Sequence, residues 1–376
     1  MSRPRVLIVQ SVAKHYRKPL FDRLHACLDE AGLELRVAYS VPNRAEACKG
    51  DNIELPAPYG CRVPARWLFG NRLLYQPILG EVARARLVIL EQANKYLMSY
   101  PVLAQGRLKV RKVAFWGHGR NMHGRASSWA ERWKRGLIRQ VDWWFAYTQS
   151  AASYVAAQGF DPRRITNVRN SVDTAAFREL VESITPEEIQ SQRARLGLTP
   201  DSRVALFCGS LYEGRDLPLL IDAADRVRHE VESFHLILIG SGPVREAVER
   251  EATTRDWLHY VGPLFGRDKA VLFRVADLYA NPGLVGLGVL DAFTAGLPVF
   301  ATDCPHSPEF EYVEAGVNGL VAQHSSQRYA ESLVRAFRDP SLLATLRIGA
   351  AESARKYGIE ATADRFCEGV IACLGN

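Results

Sequence analysis

No uninterrupted apolar stretch in these 376 residues reaches the length a helix needs to cross a bilayer. The first apolar run, Val6–Val9, is broken by Gln10, which marks a buried strand rather than a signal peptide. The seven cysteines (Cys27, Cys48, Cys61, Cys208, Cys304, Cys367 and Cys373) are odd in number, scattered and without CxxC spacing. That pattern speaks against a disulfide frame or a zinc site and for a reducing cytoplasm. Cys208, inside the run Val204–Cys208, reads as a small buried hydrophobe. There is no short repeat period and no low-complexity tract. No nucleic-acid-binding motif accompanies the net charge of +7, so nucleic acid is not the expected partner.

What is present is an uneven charge laid over a repeated strand–helix pattern. Residues 1–180 hold 29 Lys and Arg against 14 Asp and Glu, and the remainder 19 against 27. A basic half beside an acidic half implies two domains with different partners, the basic one suited to an anionic membrane or a phosphorylated acceptor. In the first half, Arg5–Gln10, Glu34–Tyr39, Leu87–Leu90, Lys112–Trp116 and Trp143–Tyr147 read as strands. Helices are expected at Leu20–Ala31 and Trp129–Gln140. The second half repeats the scheme, with strands Val204–Cys208, Phe234–Ile239, His259–Val261, Leu278–Ala280 and Pro298–Ala301. Helices Leu217–Val231, Val244–Glu251, Lys269–Arg274 and Val289–Ala295 fall between them. The alternation predicts an α/β chain of two doubly wound domains, 1–182 and 201–358, joined by a polar linker at 183–200. Ligands of such sheets bind outside the strand carboxyl ends, so the site is expected in a cleft between the domains.

The stretch NPGLVGLGVLDAFTAGLPVF (281–300) carries the most chemistry. Gly283, Gly286 and Gly288 let a phosphorylated ligand approach the backbone, and the amides of Leu284, Val285, Leu287 and the glycines suit an anion. A tight turn without ligand is the plainer reading. Asp291 follows in the early part of the next helix. In GSLYEGRD, Gly209 and Ser210 open a turn and Arg215 precedes a helix, placed to clamp a diphosphate or simply to face solvent. Gly262 and Leu264 end a further strand, where backbone groups would read a base. Glu309, near His306 and Glu311, is placed to accept from sugar hydroxyls or to cap a helix.

In the first half, WGHG sets His118 between glycines directly after a strand, leaving its imidazole accessible. The loop with His15, Tyr16 and Arg17 suits an acceptor, or is a solvated basic turn. Trp129, Trp133 and Leu137 share a stripe flanked by Arg132, Lys134, Arg135 and Arg139. Such a helix suits a membrane surface or a core-facing position equally.

Together these segments resemble the GT-B glycosyltransferases of family 4, most closely over residues 200–321. GSLYEGR resembles the family's G-R-L-x-x-x-K loop, with Arg215 in the lysine place and Ser210 in the arginine place. Asp291–Ala292 through Gly296–Leu297–Pro298 resembles the end of the E-x7-E motif, with Asp291 for the second glutamate and Gly283 where the first would stand. His118 resembles the family's active-site histidine, HYRKP an H-Y-R-x-P segment, and RNSVD an N-G-V-D turn. The resemblance implies two Rossmann-like domains, the first binding acceptor and the second nucleotide sugar, with a C-terminal helix, 359–376, packed back on the first.

It further implies retaining transfer from a nucleotide sugar, a UDP-sugar ahead of GDP- or dTDP-sugars, to a glycan or lipid-linked acceptor in surface polysaccharide or glycolipid synthesis. His118, Arg215 and Asp291 would be catalytic. No cofactor or metal is expected, in keeping with the lack of a DxD pair between short strands. A cytoplasmic enzyme, peripheral on the inner membrane face, is the expected setting. Two other readings use the same scaffold: a catalytically silent sugar-nucleotide or glycan-binding protein, and a sugar-nucleotide epimerase.

Overall fold

The computed structural model describes residues 3–43, 52–70, 72–119 and 136–375. Its contacts divide the chain into two compact units, Met1–Val172 with Ile359–Asn376, and Asp173–Gly358.

The first unit begins with strands β1 (Arg5–Val12), β2 (Glu34–Ser40) and β3 (Gly60–Arg62). A short antiparallel hairpin, β4 (Arg66–Leu68) and β5 (Leu73–Tyr75), follows. Strands β6 (Ala85–Glu91), β7 (Lys112–Gly117), β8 (Trp143–Ala146) and β9 (Ile165–Asn167) complete a parallel sheet in the order β3-β2-β1-β6-β7-β8-β9. Covering on both faces accounts for the apolar runs, such as Val6–Val9 and Leu87–Leu90, all buried. Helix Lys18–Glu30 starts with Pro19 in its first turn and buries Leu20, Phe21, Leu24 and Leu28.

The last helix, Ile359–Gly375, belongs to this unit. Its Phe366 stacks on Phe145 at 4.3 Å and meets Trp116 edge-on at 5.1 Å. Cys367 on this helix is disulfide-bonded to Cys27, a pairing that the scattered spacing of the cysteines did not lead one to expect. The partners lie 340 residues apart in sequence, and only the return of the last helix onto helix Lys18–Glu30 brings them together.

The second unit carries β10 (Arg203–Cys208), β11 (Phe234–Ile239), β12 (Leu258–Tyr260), β13 (Leu278–Ala280), β14 (Val299–Thr302) and β15 (Gly319–Ala322). They form a parallel sheet in the order β12-β11-β10-β13-β14-β15. Numbered within the unit this is 3-2-1-4-5-6, the order of dinucleotide-binding sheets.

The stretch 183–200, expected as a linker, holds helix Pro186–Arg195, and the unit boundary falls earlier, at Val172–Asp173. Thr185 and Glu188 form a reciprocal capping box and Pro186 opens the first turn, so the proline starts a helix instead of breaking one. Arg267 holds Glu188 at 2.8 Å. The helix buries no residue, and its polar face concealed it. Of the expected basic helix, Trp129 and Trp133 lie outside the described residues, while Ile138 is buried in the core and Leu137 packs against it. Among the described residues no helix is long and apolar enough to cross a membrane.

Candidate functional site

In the second sheet the winding direction reverses between β10 and β13, and loops from both strands' carboxyl ends diverge there. The loop after β10 turns through a short 3-10 segment, Glu213–Arg215, before helix Leu217–Glu230. Asp216 takes a left-handed conformation (φ 50°) at that start, and its carboxylate faces His324 Nε2 at 3.2 Å.

Arg215 is locked to the opposite loop. Its Nη1 donates to the Leu284 carbonyl, and the Leu284 amide donates back to Gly214 O at 2.7 Å. Its Nε is buried without a hydrogen-bond partner among the described residues. A buried donor left unmade costs about 1–3 kcal/mol. Gly283 makes this approach possible: a Cβ there would lie 2.2 Å from the Arg215 carbonyl carbon. An acidic side chain at this position would displace the arginine loop.

The anion-binding role expected of the whole run 284–288 is corrected in part. The amide of Leu284 is taken by Gly214, and that of Val285 donates to His306 Nδ1 at 3.0 Å. Those of Gly286, Leu287 and Gly288 donate to no acceptor among the described residues. His306 is a loop brace: Nε2 donates to Thr302 O at 2.7 Å, the ring stacks on Phe310 at 3.7 Å, and burial lowers its pKa.

Asp291, on helix Gly288–Thr294, is bonded by Lys269 Nζ at 2.6 Å. Lys269 comes from helix Gly266–Val275, and its ammonium also lies 4.7 Å from the Phe177 ring. Burial pulls the Lys269 pKa down, but Asp291 and the Cys208 thiol outweigh it and the pKa is raised. The Cys208 thiol itself is pushed up to about 11 by burial, with Lys269 and Arg215 lowering it and Asp291 raising it. Arg215, Lys269 and Asp291 therefore act on one point, the carboxyl end of β10. Tyr279 closes the floor there, its hydroxyl donating to Cys208 O at 2.6 Å.

Other expected residues are placed further off or differently. Gly209 donates to Ile239 O at 3.0 Å and Ser210 is exposed. Gly262 and Leu264 follow β12, two strands from β10. Glu309 is buried in the 3-10 segment Pro308–Tyr312 beyond β14.

The first sheet reverses between β1 and β6. Arg17, after β1, is buried: its Nη1 donates to Asn170 Oδ1 at 2.9 Å, and its guanidinium lies 4.5 Å from the Trp116 ring and 5.1 Å from that of Tyr147. Burial lowers its pKa, and Tyr147, Tyr16 and Glu91 more than restore it. It is thus no solvated basic turn, although His15 and Tyr16 beside it are exposed. His118 follows β7 and packs edge-on against Tyr147 at 4.5 Å. Tyr147 unites Arg17, Trp116 and His118. Tyr147 and Lys269 are the two residues the sequence left unmarked; each stands at a strand end or helix start, with no motif spacing to announce it. Among the described residues no group of three or more His, Cys, Asp or Glu could hold a metal ion.

Residues 202–339 match the family described as glycosyl transferases group 1. Over 223 residues the chain is 30% identical to a D-inositol 3-phosphate glycosyltransferase of Thermobispora bispora, covering 55% of this chain and 50% of the relative. It is 24% identical over 193 residues to an alpha-monoglucosyldiacylglycerol synthase of Acholeplasma laidlawii, covering 50% of this chain and 47% of that one. The chain thus spans about half the length of the curated relatives it matches. Among solved structures, the HepE protein of Anabaena in complex with UDP superposes with a TM-score of 0.71 at 16% identity, over 98% of this chain and 100% of that one.

Proposed function

Starting from a chain with the GT-B fold that resembles family 4 glycosyltransferases, we propose that it transfers a sugar from a nucleotide sugar, preferably a UDP-sugar, to a glycan or lipid-linked acceptor. The observation that carries this reading is the convergence of Arg215, the open amides of Gly286–Gly288 and Asp291 at the reversal point of the second sheet. Arg215 presents a positive charge and an unmet donor, the two things a departing diphosphate needs. That charge would do the work a metal does elsewhere. The names of two relatives, a D-inositol 3-phosphate glycosyltransferase and an alpha-monoglucosyldiacylglycerol synthase, support a glycolipid or glycan product.

In the reaction proposed, the bond from the sugar's anomeric carbon to the diphosphate oxygen breaks as an acceptor oxygen bonds to that carbon from the same face. The acceptor's proton passes to the leaving diphosphate, so configuration is retained and no protein nucleophile is needed. The first unit is proposed to serve the acceptor through His118, His15 and Tyr16, with Arg17 bracing the loop that carries the last two, and its basic surface to favour an anionic membrane. The test is calorimetric titration with UDP, GDP and dTDP, followed by turnover with the matching sugars and with inositol phosphate and diacylglycerol acceptors. Binding with transfer supports the reading. Binding without transfer or hydrolysis would favour a silent binding protein, and product formed without acceptor an epimerase.

A further inference from the structure

Asp291 has a place in the motif, but its partner Lys269 is assigned by neither the motif spacing nor the resemblance. The two groups come from separate helices and meet at 2.6 Å. Each side chain keeps about a fifth of its surface open, 19% and 18%, so the pair is not sealed in the core. Lys269 engages Oδ2, and no hydrogen bond is made to Oδ1 among the described residues. Asp291 lies three residues after Gly288, on the same helix face one turn below an open amide. A Cβ on Gly288 would meet the Tyr279 hydroxyl at 3.2 Å, so this face looks onto the Cys208–Tyr279 floor.

A bare carboxylate here would repel the phosphates that Arg215 attracts. An aspartate also has one methylene less than a glutamate with which to find a ligand.

We propose that Lys269 is a positioning residue of the nucleotide-sugar site: it neutralises Asp291 toward the diphosphate and fixes the carboxylate so that Oδ1 accepts a hydroxyl of the bound ligand. This rests on the reading of the second unit as a nucleotide-sugar site. Arg215 then remains the one cation there without a carboxylate partner among the described residues, and Lys269 acts through Asp291. A purely structural ion pair predicts something different for the apolar double replacement: stability unchanged or improved, as here, but UDP binding unchanged as well.

The test compares wild type, Lys269→Met, Lys269→Arg and the apolar double variant Lys269→Met with Asp291→Leu, by thermal unfolding and by calorimetric titration with UDP. The expected result is that Lys269→Met weakens UDP binding about tenfold and Lys269→Arg returns it to within about threefold of wild type. The double variant should unfold no earlier than wild type, yet bind UDP as weakly as Lys269→Met. A stable double variant that binds UDP like wild type overturns the positioning role and leaves the pair structural. If the wild type binds none of UDP, GDP and dTDP, the nucleotide-sugar reading itself falls and takes this role with it.

Discussion

At the reversal of the first sheet, Arg17 in the loop after β1 lies buried against Trp116 of β7 and Tyr147 just after β8, and its Nη1 donates to Asn170 Oδ1 beyond β9. At the reversal of the second, glycine-lined loops hold Arg215 by one carbonyl and leave its Nε unmet. The two sheets wind alike, 3-2-1-4-5-6, the first with a seventh strand added at its far edge, and differ in what the loops do with a guanidinium. The difference teaches that the scaffold fixes where a site is, while loop composition decides whether a charge braces the fold or waits for a ligand.

The sharpest way to break that comparison is to remove each arginine. Arg215→Ala should lower kcat/KM by about 100- to 1,000-fold, the loss typical of a transition-state donor. Its melting temperature should change little. Arg17→Met should do the reverse, lowering the melting temperature while leaving UDP affinity within twofold (about 0.4 kcal/mol). Steady-state kinetics, calorimetry and thermal unfolding on both variants decide it; equal effects from the two would erase the distinction.

Next in size is the disulfide, which belongs to the first unit alone. Cys27→Ser should destabilise by about 2–4 kcal/mol and make the melting temperature insensitive to dithiothreitol, whereas wild type should lose stability when reduced. A wild type indifferent to reductant would show that the bond contributes nothing.

In the second unit, Gly283→Ala should cost about 1–3 kcal/mol through collision with the Arg215 backbone, and should weaken UDP binding with it. Gly288→Ala meets only the Tyr279 hydroxyl at 3.2 Å and should be the milder change. Equal behaviour of the two alanine variants would mean that Gly283 is not what lets the loops meet.

The smallest expected effect concerns acid. His235 Nδ1 and His259 Nε2 share a hydrogen bond of 3.0 Å, which is lost when both rings are protonated. Burial, then the neighbouring His259, lowers the His235 pKa to about 4. Between about 4 and its ordinary value of 6.5, the unfolded chain binds the proton that the folded chain refuses. Stability from this pair is therefore full above about 6.5 and is lost as pH falls toward about 4. Melting curves at pH 7.5 and 5.0 should separate less for His235→Phe than for wild type.

Strand positions were legible because runs such as Val204–Cys208 and Phe234–Ile239 are apolar on both faces, a pattern few other structures produce. Arg215, Gly283 and Asp291 were legible because glycine spacing and an acid on a helix carry a chemical meaning. Lys269 was hidden since its partner lies 22 residues away on another helix, a separation with no periodicity. The helix Pro186–Arg195 was hidden by its polarity, and the Cys27–Cys367 bond by its 340-residue span. Each of these depends on where separate elements dock, which local pattern does not encode.

The return of helix Ile359–Gly375 to the first unit also has a consequence for synthesis on the ribosome. The second unit is one uninterrupted segment and can fold as soon as it emerges. The first emerges earlier but must wait for the last helix before Trp116 and Phe145 gain Phe366 as a ring partner. Until then, that apolar surface stays uncovered. The piece made first is thus the piece completed last, and a chain stalled before residue 359 should depend on chaperones for the unit that carries Arg17 and His118.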